Sequence, residues 1–152
     1  ALACALMEVR HFKARDFAQF HPGGSLGKRL LTRASDIMRT EDMPIIAPST
    51  RLGDAITHVS KGRLGLCVAL VNGRVEGIIT DGDIRRAMES SQEHFFDLTV
   101  RDIMTVNPKE VLPDTKITEI EKLMNDCKIH AVLVTDPEKH LLGIVDHFSC
   151  AL

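Results

Sequence analysis

Val75-Glu76-Gly77-Ile78-Ile79-Thr80-Asp81-Gly82-Asp83 returns 66 residues later as Leu141-Leu142-Gly143-Ile144-Val145-Asp146-His147-Phe148-Ser149. Two further matches hold nearly the same register. Ser35-Asp36-Ile37-Met38 returns as Arg101-Asp102-Ile103-Met104 at an offset of 66, and Pro48-Ser49-Thr50-Arg51-Leu52 as Pro113-Asp114-Thr115-Lys116-Ile117 at an offset of 65. Chance supplies one such match but hardly three in register. The chain therefore carries an internal repeat of about 65 residues.

Both copies follow one local grammar. A short β-favouring stretch ends at a proline (Ile45-Ile46-Ala47-Pro48; Glu110-Val111-Leu112-Pro113), after which Thr50 or Thr115 offers a helix N-cap. Leu52, Ala55, Ile56 and Val59 then recur at i, i+3, i+4, i+7, and Ile117, Ile120, Met124 and Cys127 form the matching buried stripe. Two apolar strands follow. Asn72-Gly73, a type I′ hairpin signal, joins them in the first copy, and Asp136-Pro137-Glu138-Lys139 joins them in the second. A closing helix is predicted from Asp81 to Ser90, with a short counterpart after Val145. The pattern is α/β (α+β): β-α-β-β-α, twice. Neither copy can bury both faces of a three-stranded sheet alone, so the two are expected to pack about a pseudo-twofold axis.

The chain is 152 residues and 16.8 kDa, enough for one ordinary domain or two small halves that share a core. The repeat decides for the second. With 44% apolar and 26% charged residues the composition is globular and soluble. Lys plus Arg number 19 against 21 acids, a net charge of −2 that calls for neither nucleic acid nor an anionic membrane. The only aromatics are six Phe, which excludes a sugar-stacking platform or a single-strand nucleic-acid groove. The charge is uneven: residues 8–39 carry seven cations and three anions, leaving 12 and 18 for residues 40–152. This predicts a basic lead segment before an acidic body, with the break near residue 34. Cys4, Cys67, Cys127 and Cys150 form no Cys-x-x-Cys pair, and Cys67 sits in the apolar run Leu66-Cys67-Val68-Ala69-Leu70. Reduced thiols and a cytoplasmic location follow as expectations. The opening Ala1-Leu2-Ala3-Cys4-Ala5-Leu6-Met7 reads as a helix entered part-way along, so the chain is expected to be a piece of something longer.

The Asp-Ile-Met openings, the helix after each proline, and Gly77-Ile78-Ile79-Thr80-Asp81-Gly82-Asp83 resemble a tandem CBS domain, or Bateman module, over residues 34 to 152. The lead segment Asp16-Phe17-Ala18-Gln19-Phe20-His21-Pro22-Gly23-Gly24-Ser25-Leu26-Gly27-Lys28 resembles the junction between the sugar-isomerase (SIS) domain and the CBS pair in the D-arabinose 5-phosphate isomerase family. The division implied is an SIS tail and helical linker at 1–33, a first CBS repeat at 34–92 and a second at 98–152. In that family the whole enzyme interconverts D-ribulose 5-phosphate and D-arabinose 5-phosphate for synthesis of the acidic sugar Kdo, in lipopolysaccharide and capsule. The resemblance implies a regulatory module that binds a nucleotide or nucleotide-sugar effector such as CMP-Kdo. It also implies a missing SIS catalytic domain, a homodimer of CBS pairs and a tetrameric parent. The alternative is a ligand-free oligomerisation module.

Thr80 and Asp83 stand where a strand meets a helix N-terminus, a position that favours phosphate and lets a carboxylate accept from ribose hydroxyls. The resemblance assigns Thr80, Asp81 and Asp83 to ligand binding; a helix cap is the competing reading of the same residues. The second copy departs from the pattern, with Asp146 in place of Thr80 and Ser149 in place of Asp83. A carboxylate repels phosphate, so His130, His147 and Ser149 are the candidates to replace those contacts. Cys127-x-x-His130 and His147-x-x-Cys150 mirror each other, yet such spacings are common by chance, and neither metal nor cofactor is expected. Gly23-Gly24-Ser25-Leu26-Gly27-Lys28 fails as a Walker A loop, because Pro22 and Arg29 occupy its required Gly and Ser/Thr positions. His21 takes a catalytic role from the resemblance, in proton transfer through an enediol. Its acid and base partners would lie on the SIS domain, so His21 is expected to be inert in this chain, which is not itself read as an enzyme.

Overall fold

The computed structural model describes residues 25–151. It begins with helix α1 (Ser25–Leu31), the single turn α2 (Ala34–Ile37) and strand β1 (Ile45–Ile46). Helix α3 (Leu52–Gly62) leads into β2 (Leu66–Val71), β3 (Arg74–Thr80) and α4 (Asp81–Ser91), followed by a 3₁₀ segment (Gln92–Asp97). A second set follows: the single turn α5 (Val100–Ile103), β4 (Thr105–Val106), β5 (Glu110–Val111), α6 (Ile117–Cys127), β6 (Ala131–Thr135) and β7 (Leu141–Asp146). The strands make two sheets, ordered β1-β2-β3-β4 and β5-β6-β7. In each, the short first strand runs parallel to its neighbour and the hairpin is antiparallel. Asn72 (φ 54) and Gly73 (φ 79) both lie in the left-handed region, as a type I′ turn requires.

The continuous apolar run of β2 is explained by burial on both faces. Cys67 and Ala69 face the helices with Leu52, Ala55 and Val59 of α3, while Leu66 and Val68 face the other sheet. In β6 the same division sends Val132 and Val134 to Ile120 and Met124 of α6, and Leu133 to the shared layer. There Leu133 and Ile144 meet Leu66, Val68 and Val75, so a core of residues from both repeats joins the sheets. The hairpin tips are bonded as well, Val75 N to Lys139 O (2.9 Å) and Leu141 N to Gly73 O (3.0 Å).

The openings of the two repeats are exchanged. The sequence repeat places Asp36-Ile37-Met38 at the head of the first copy, yet in space this segment packs on the second sheet. Arg39 and Ile144 exchange main-chain hydrogen bonds at 2.8 and 3.0 Å. Arg101-Asp102-Ile103-Met104 does the reverse: it precedes the second copy but leads into β4, which pairs with β3 at Gly77 and Ile78. The recurrent Gly and Met are one device. A Cβ on Gly143 would stand 2.7 Å from Met38 Cγ and Sδ, and one on Gly77 would stand 2.6 Å from the Thr105 carbonyl and 3.0 Å from Met104 Sδ. Each methionine fills the space that the missing glycine side chain leaves.

Two expectations shift. Arg51 and Lys116, one residue beyond Thr50 and Thr115, take the N-cap positions of α3 and α6, and no side chain caps either helix. The crossing segments supply the acceptors instead: Leu52 N donates to Leu98 O, and Ile117 N to Thr32 O. A main-chain carbonyl satisfies the donor as well as a hydroxyl does, which frees the cap position from sequence choice. The short closing helix expected in the second copy is a single turn at 147–150, closed by a hydrogen bond from Ala151 N to Phe148 O (3.1 Å).

Gly77→Ala is expected to cost about 1–3 kcal/mol, the usual penalty for overpacking a filled site. Its new methyl meets a backbone carbonyl. Gly143→Ala meets Met38 Cγ and Sδ, which can swing aside, and Cβ at 2.9 Å, which moves only with the backbone, so it should cost somewhat less. Urea denaturation of the two variants checks the order.

Candidate functional site

The turn from β3 into α4 is a complete capping box. Thr80 Oγ1 accepts from Asp83 N at 3.1 Å, and Asp83 Oδ2 accepts from Thr80 N at 2.9 Å. The other Asp83 oxygen accepts from Arg86 at 2.6 Å. In the first turn of α4, Asp81 N donates to Gly65 O (3.0 Å), which leaves Gly82 N–H without a protein acceptor among the described residues.

That helix N-terminus opens onto a cavity of about 560 Å³, within the range of small-ligand sites. Thr80, Asp81 and Gly82 form one side, and Lys109, Lys128 and His130 from the second copy contribute to the rest. Leu64, Ile78, Ile129 and Leu133 supply apolar walls. Two lysines against one aspartate, beside the positive end of an 11-residue helix, make the cavity hospitable to a phosphate. Lys128 holds its place from a left-handed position (φ 54) that ends α6.

A second cavity of about 360 Å³ lies at the pseudo-equivalent turn, with Asp146, His147 and Phe148 on one side and Arg63 from the first copy on the other. Arg63 is the counterpart of Lys128, a left-handed residue (φ 59) ending α3. The main chain repeats too: His147 N donates to His130 O at 2.8 Å, as Asp81 N does to Gly65 O. The side chains do not repeat. Asp146 Oδ1 takes the capping role of Thr80, accepting from Ser149 N (2.7 Å) and Oγ (2.9 Å).

Of the residues singled out from sequence, Thr80, Asp81 and His130 line the larger cavity, and His130 also lines the smaller one with His147. Asp83 and Ser149 line neither, being turned into their caps. His21 lies outside the described residues. Lys109, Lys128 and Arg63 were missed by sequence reading. Aligning the repeats would have exposed the last two, since a cation follows both stripe helices at the same place. The mirrored Cys and His pairs do not converge. Cys150 is buried in the second core while His130 and His147 are exposed, and among the described residues no group of three or more His, Cys, Asp or Glu is placed to hold a metal. Burial pushes the Cys150 thiol up to about 11, with Glu121 and Asp146 adding to the effect. Burial and then Asp81 push Cys67 to about 11 as well, so both thiols stay protonated at neutral pH.

The family model described as CBS domain matches twice, at residues 34–90 and 100–149. The chain belongs to the CBS-domain family. Its pair is similar to the Haemophilus influenzae protein named probable arabinose 5-phosphate isomerase, at 42% identity over 98% of this chain and 44% of that protein. It is also similar to the Pseudomonas aeruginosa arabinose 5-phosphate isomerase KdsD, at 39% identity over 96% of this chain and 45% of that protein. The chain thus spans less than half the length of these relatives. Among solved structures, the CBS domain pair of protein MJ0100 in complex with 5′-methylthioadenosine and S-adenosyl-L-methionine shares the fold. Its TM-score is 0.70 at 22% identity, covering 80% of this chain and 94% of that one. Among the described residues no helix is long and apolar enough to cross a membrane.

Thr80→Ala removes one bond of the α4 cap and is expected to cost about 0.5–2 kcal/mol of stability. Asp83→Ala removes the reciprocal bond, and the double variant should cost less than the two singles together because they share one motif. Equilibrium denaturation of the three variants reads this directly.

Proposed function

We propose that this CBS pair binds a nucleotide or nucleotide sugar in the cleft between its halves and thereby regulates an isomerase domain carried by the same longer chain. The observation that carries the reading is the larger cavity. A helix N-terminus with a hydroxyl and a free N–H faces Lys128 and Lys109 across apolar walls, a combination suited to a phosphate joined to a base or sugar. The similarity to arabinose 5-phosphate isomerases over nearly the whole chain supports the parent reaction, D-ribulose 5-phosphate to D-arabinose 5-phosphate and back. CMP-Kdo is the feedback candidate, because it lies downstream of that product. In the parent, His21 acts with groups of the SIS domain. The working assembly is a homodimer of CBS pairs within a cytoplasmic tetramer, with residues 1–33 as the tail of the SIS domain and linker, and 34–92 and 98–152 as the sequence units. The effector acts only as far as it binds two arrangements of the pair with different affinity.

A second reading has its own support. Thr80, Asp83, Asp146 and Ser149 all have their side chains engaged in caps, as they would in a scaffold that holds the isomerase oligomer together with no ligand. Melting temperatures in AMP, ATP, CMP and CMP-Kdo separate the two. A ligand at about 100 times its Kd stabilises the protein by about 2.7 kcal/mol, a clear upward shift. Lys128→Asn, an exchange suited to the left-handed backbone there (φ 54), should reduce that shift and leave the free protein folded. Flat curves in all four nucleotides favour the scaffold.

A further inference from the structure

Helix α1 lies along the second repeat, although the first repeat is the one that follows it in sequence. Arg29 anchors it there. Its guanidinium pairs with Glu121 on α6 and donates to Cys150 O (3.4 Å), the last residue of the turn that begins at His147. Further along the same segment, Arg39 donates to Glu41 O (3.1 Å), Asp42 O (2.6 Å) and Gly62 O (3.0 Å). Gly62 ends α3, and its carbonyl is one of those a helix leaves without an internal partner. Gly62 directly precedes Arg63, while the 147–150 turn carries His147 and Phe148. Arg63 and that turn are the two sides of the smaller cavity. One segment of chain, 28–39, thus grips both walls of that cavity from outside. The larger cavity has no such grip. At the 66-residue offset Arg29 becomes Phe95, which is buried, and Arg39 becomes Thr105, which pairs with Ile78 in the sheet. Neither can donate a charged hydrogen bond.

We infer that Arg29 and Arg39 form a clasp through which the smaller cavity, and the nucleotide site adjoining it, set the position of α1 and so of the linker. The clasp rests on the proposed nucleotide site and supplies the route by which occupancy there leaves the module. Leu64, His130 and Ala131 line both cavities, so a molecule in the larger one presses on residues that carry the walls of the smaller. Leu64 follows Arg63 in the chain, and His130 O accepts from His147 N at 2.8 Å. Displacement of Leu64 reaches Gly62 O and Arg39, and displacement of His130 reaches the 147–150 turn and Arg29. A guanidinium suits both tasks. Its planar fork of five N–H donors bonds two or three acceptors in fixed geometry, which a lysine does not. The Arg29–Glu121 pair is about one-third exposed, and a pair so exposed adds little to stability. Its part in the clasp can therefore be removed with the fold kept. The clasp works only as far as the nucleotide binds two settings of α1 with different affinity.

Backbone amide chemical shifts of the whole chain test this, titrated in turn with AMP, ATP, CMP and CMP-Kdo. The expected result is that a nucleotide which moves the 80–84 resonances also moves those at 28–32 and 40–42, although neither of these segments lines a cavity. Arg29→Met should abolish the shift at 28–32 and leave the one at 80–84. Arg39→Met should abolish the shift at 40–42, a separate reading should Arg29→Met not fold. Resonances at 28–32 that stay still in the unmodified chain overturn the inference. So do shifts at 28–32 that persist in Arg29→Met, or shifts at 40–42 that persist in Arg39→Met. In each of those cases the nucleotide site itself stands, because 80–84 still responds. If no nucleotide moves any of the three sets, the nucleotide site and the clasp fall together.

Discussion

Each sheet of this CBS pair is closed by a strand-like segment that comes, in sequence, from the other half. Met38 seats on Gly143 and Met104 near Gly77, with main-chain bonds from Arg39 to Ile144 and from β4 to β3 holding each segment along the sheet edge. Side chains at the two glycines would meet atoms 2.6–2.7 Å away, so the exchange depends on their absence. The exchanged segments also accept the first N–H of the stripe helices, through Leu98 O and Thr32 O. Removing either crossing segment would at once leave a helix N-terminus unsatisfied, a sheet edge open and a methionine-sized space empty. The two halves therefore stand or fall together.

The cleft follows from the same arrangement. Packing the sheets through Leu66, Val68, Leu133 and Ile144 brings each strand-to-helix turn against the end of the other half's stripe helix. Lys128 thereby faces Thr80, and Arg63 faces Asp146, a pairing that neither copy could make alone. Pseudo-symmetry of the backbone then meets asymmetry of the side chains. The backbone repeats as far as the bonds from Asp81 to Gly65 and from His147 to His130, while the groups offered to a ligand change at nearly every equivalent position.

Much of this was legible in the sequence, and what was missed has physical causes. The stripes of α3 and α6, the Asn72-Gly73 turn and the two-sided burial of Leu66-Cys67-Val68-Ala69 follow from periodicity and turn chemistry, which are local. The exchange of Asp36-Ile37-Met38 and Asp102-Ile103-Met104 was not legible, because a repeat shows that two segments are equivalent but not which sheet each one joins. Thr50 and Thr115 looked like caps because a hydroxyl before an apolar stripe usually is one; here backbone carbonyls from distant segments took that role. Asp83 satisfied both readings of its motif in sequence, and in the structure it serves the cap and Arg86. Lys128 and Arg63 carry no local signal beyond a cation after each stripe helix, and only the docking of the halves turns them toward a cavity.

Hydrogen exchange measured by mass spectrometry, with and without saturating nucleotide, tests most directly whether the cleft between the halves is the ligand site. The account predicts slowed exchange together at 80–84, at the start of α4, and at 128–131, after α6, with the two sheets gaining protection equally because they open as one unit. Protection confined to one half, or exchange unchanged at both turns, would contradict it.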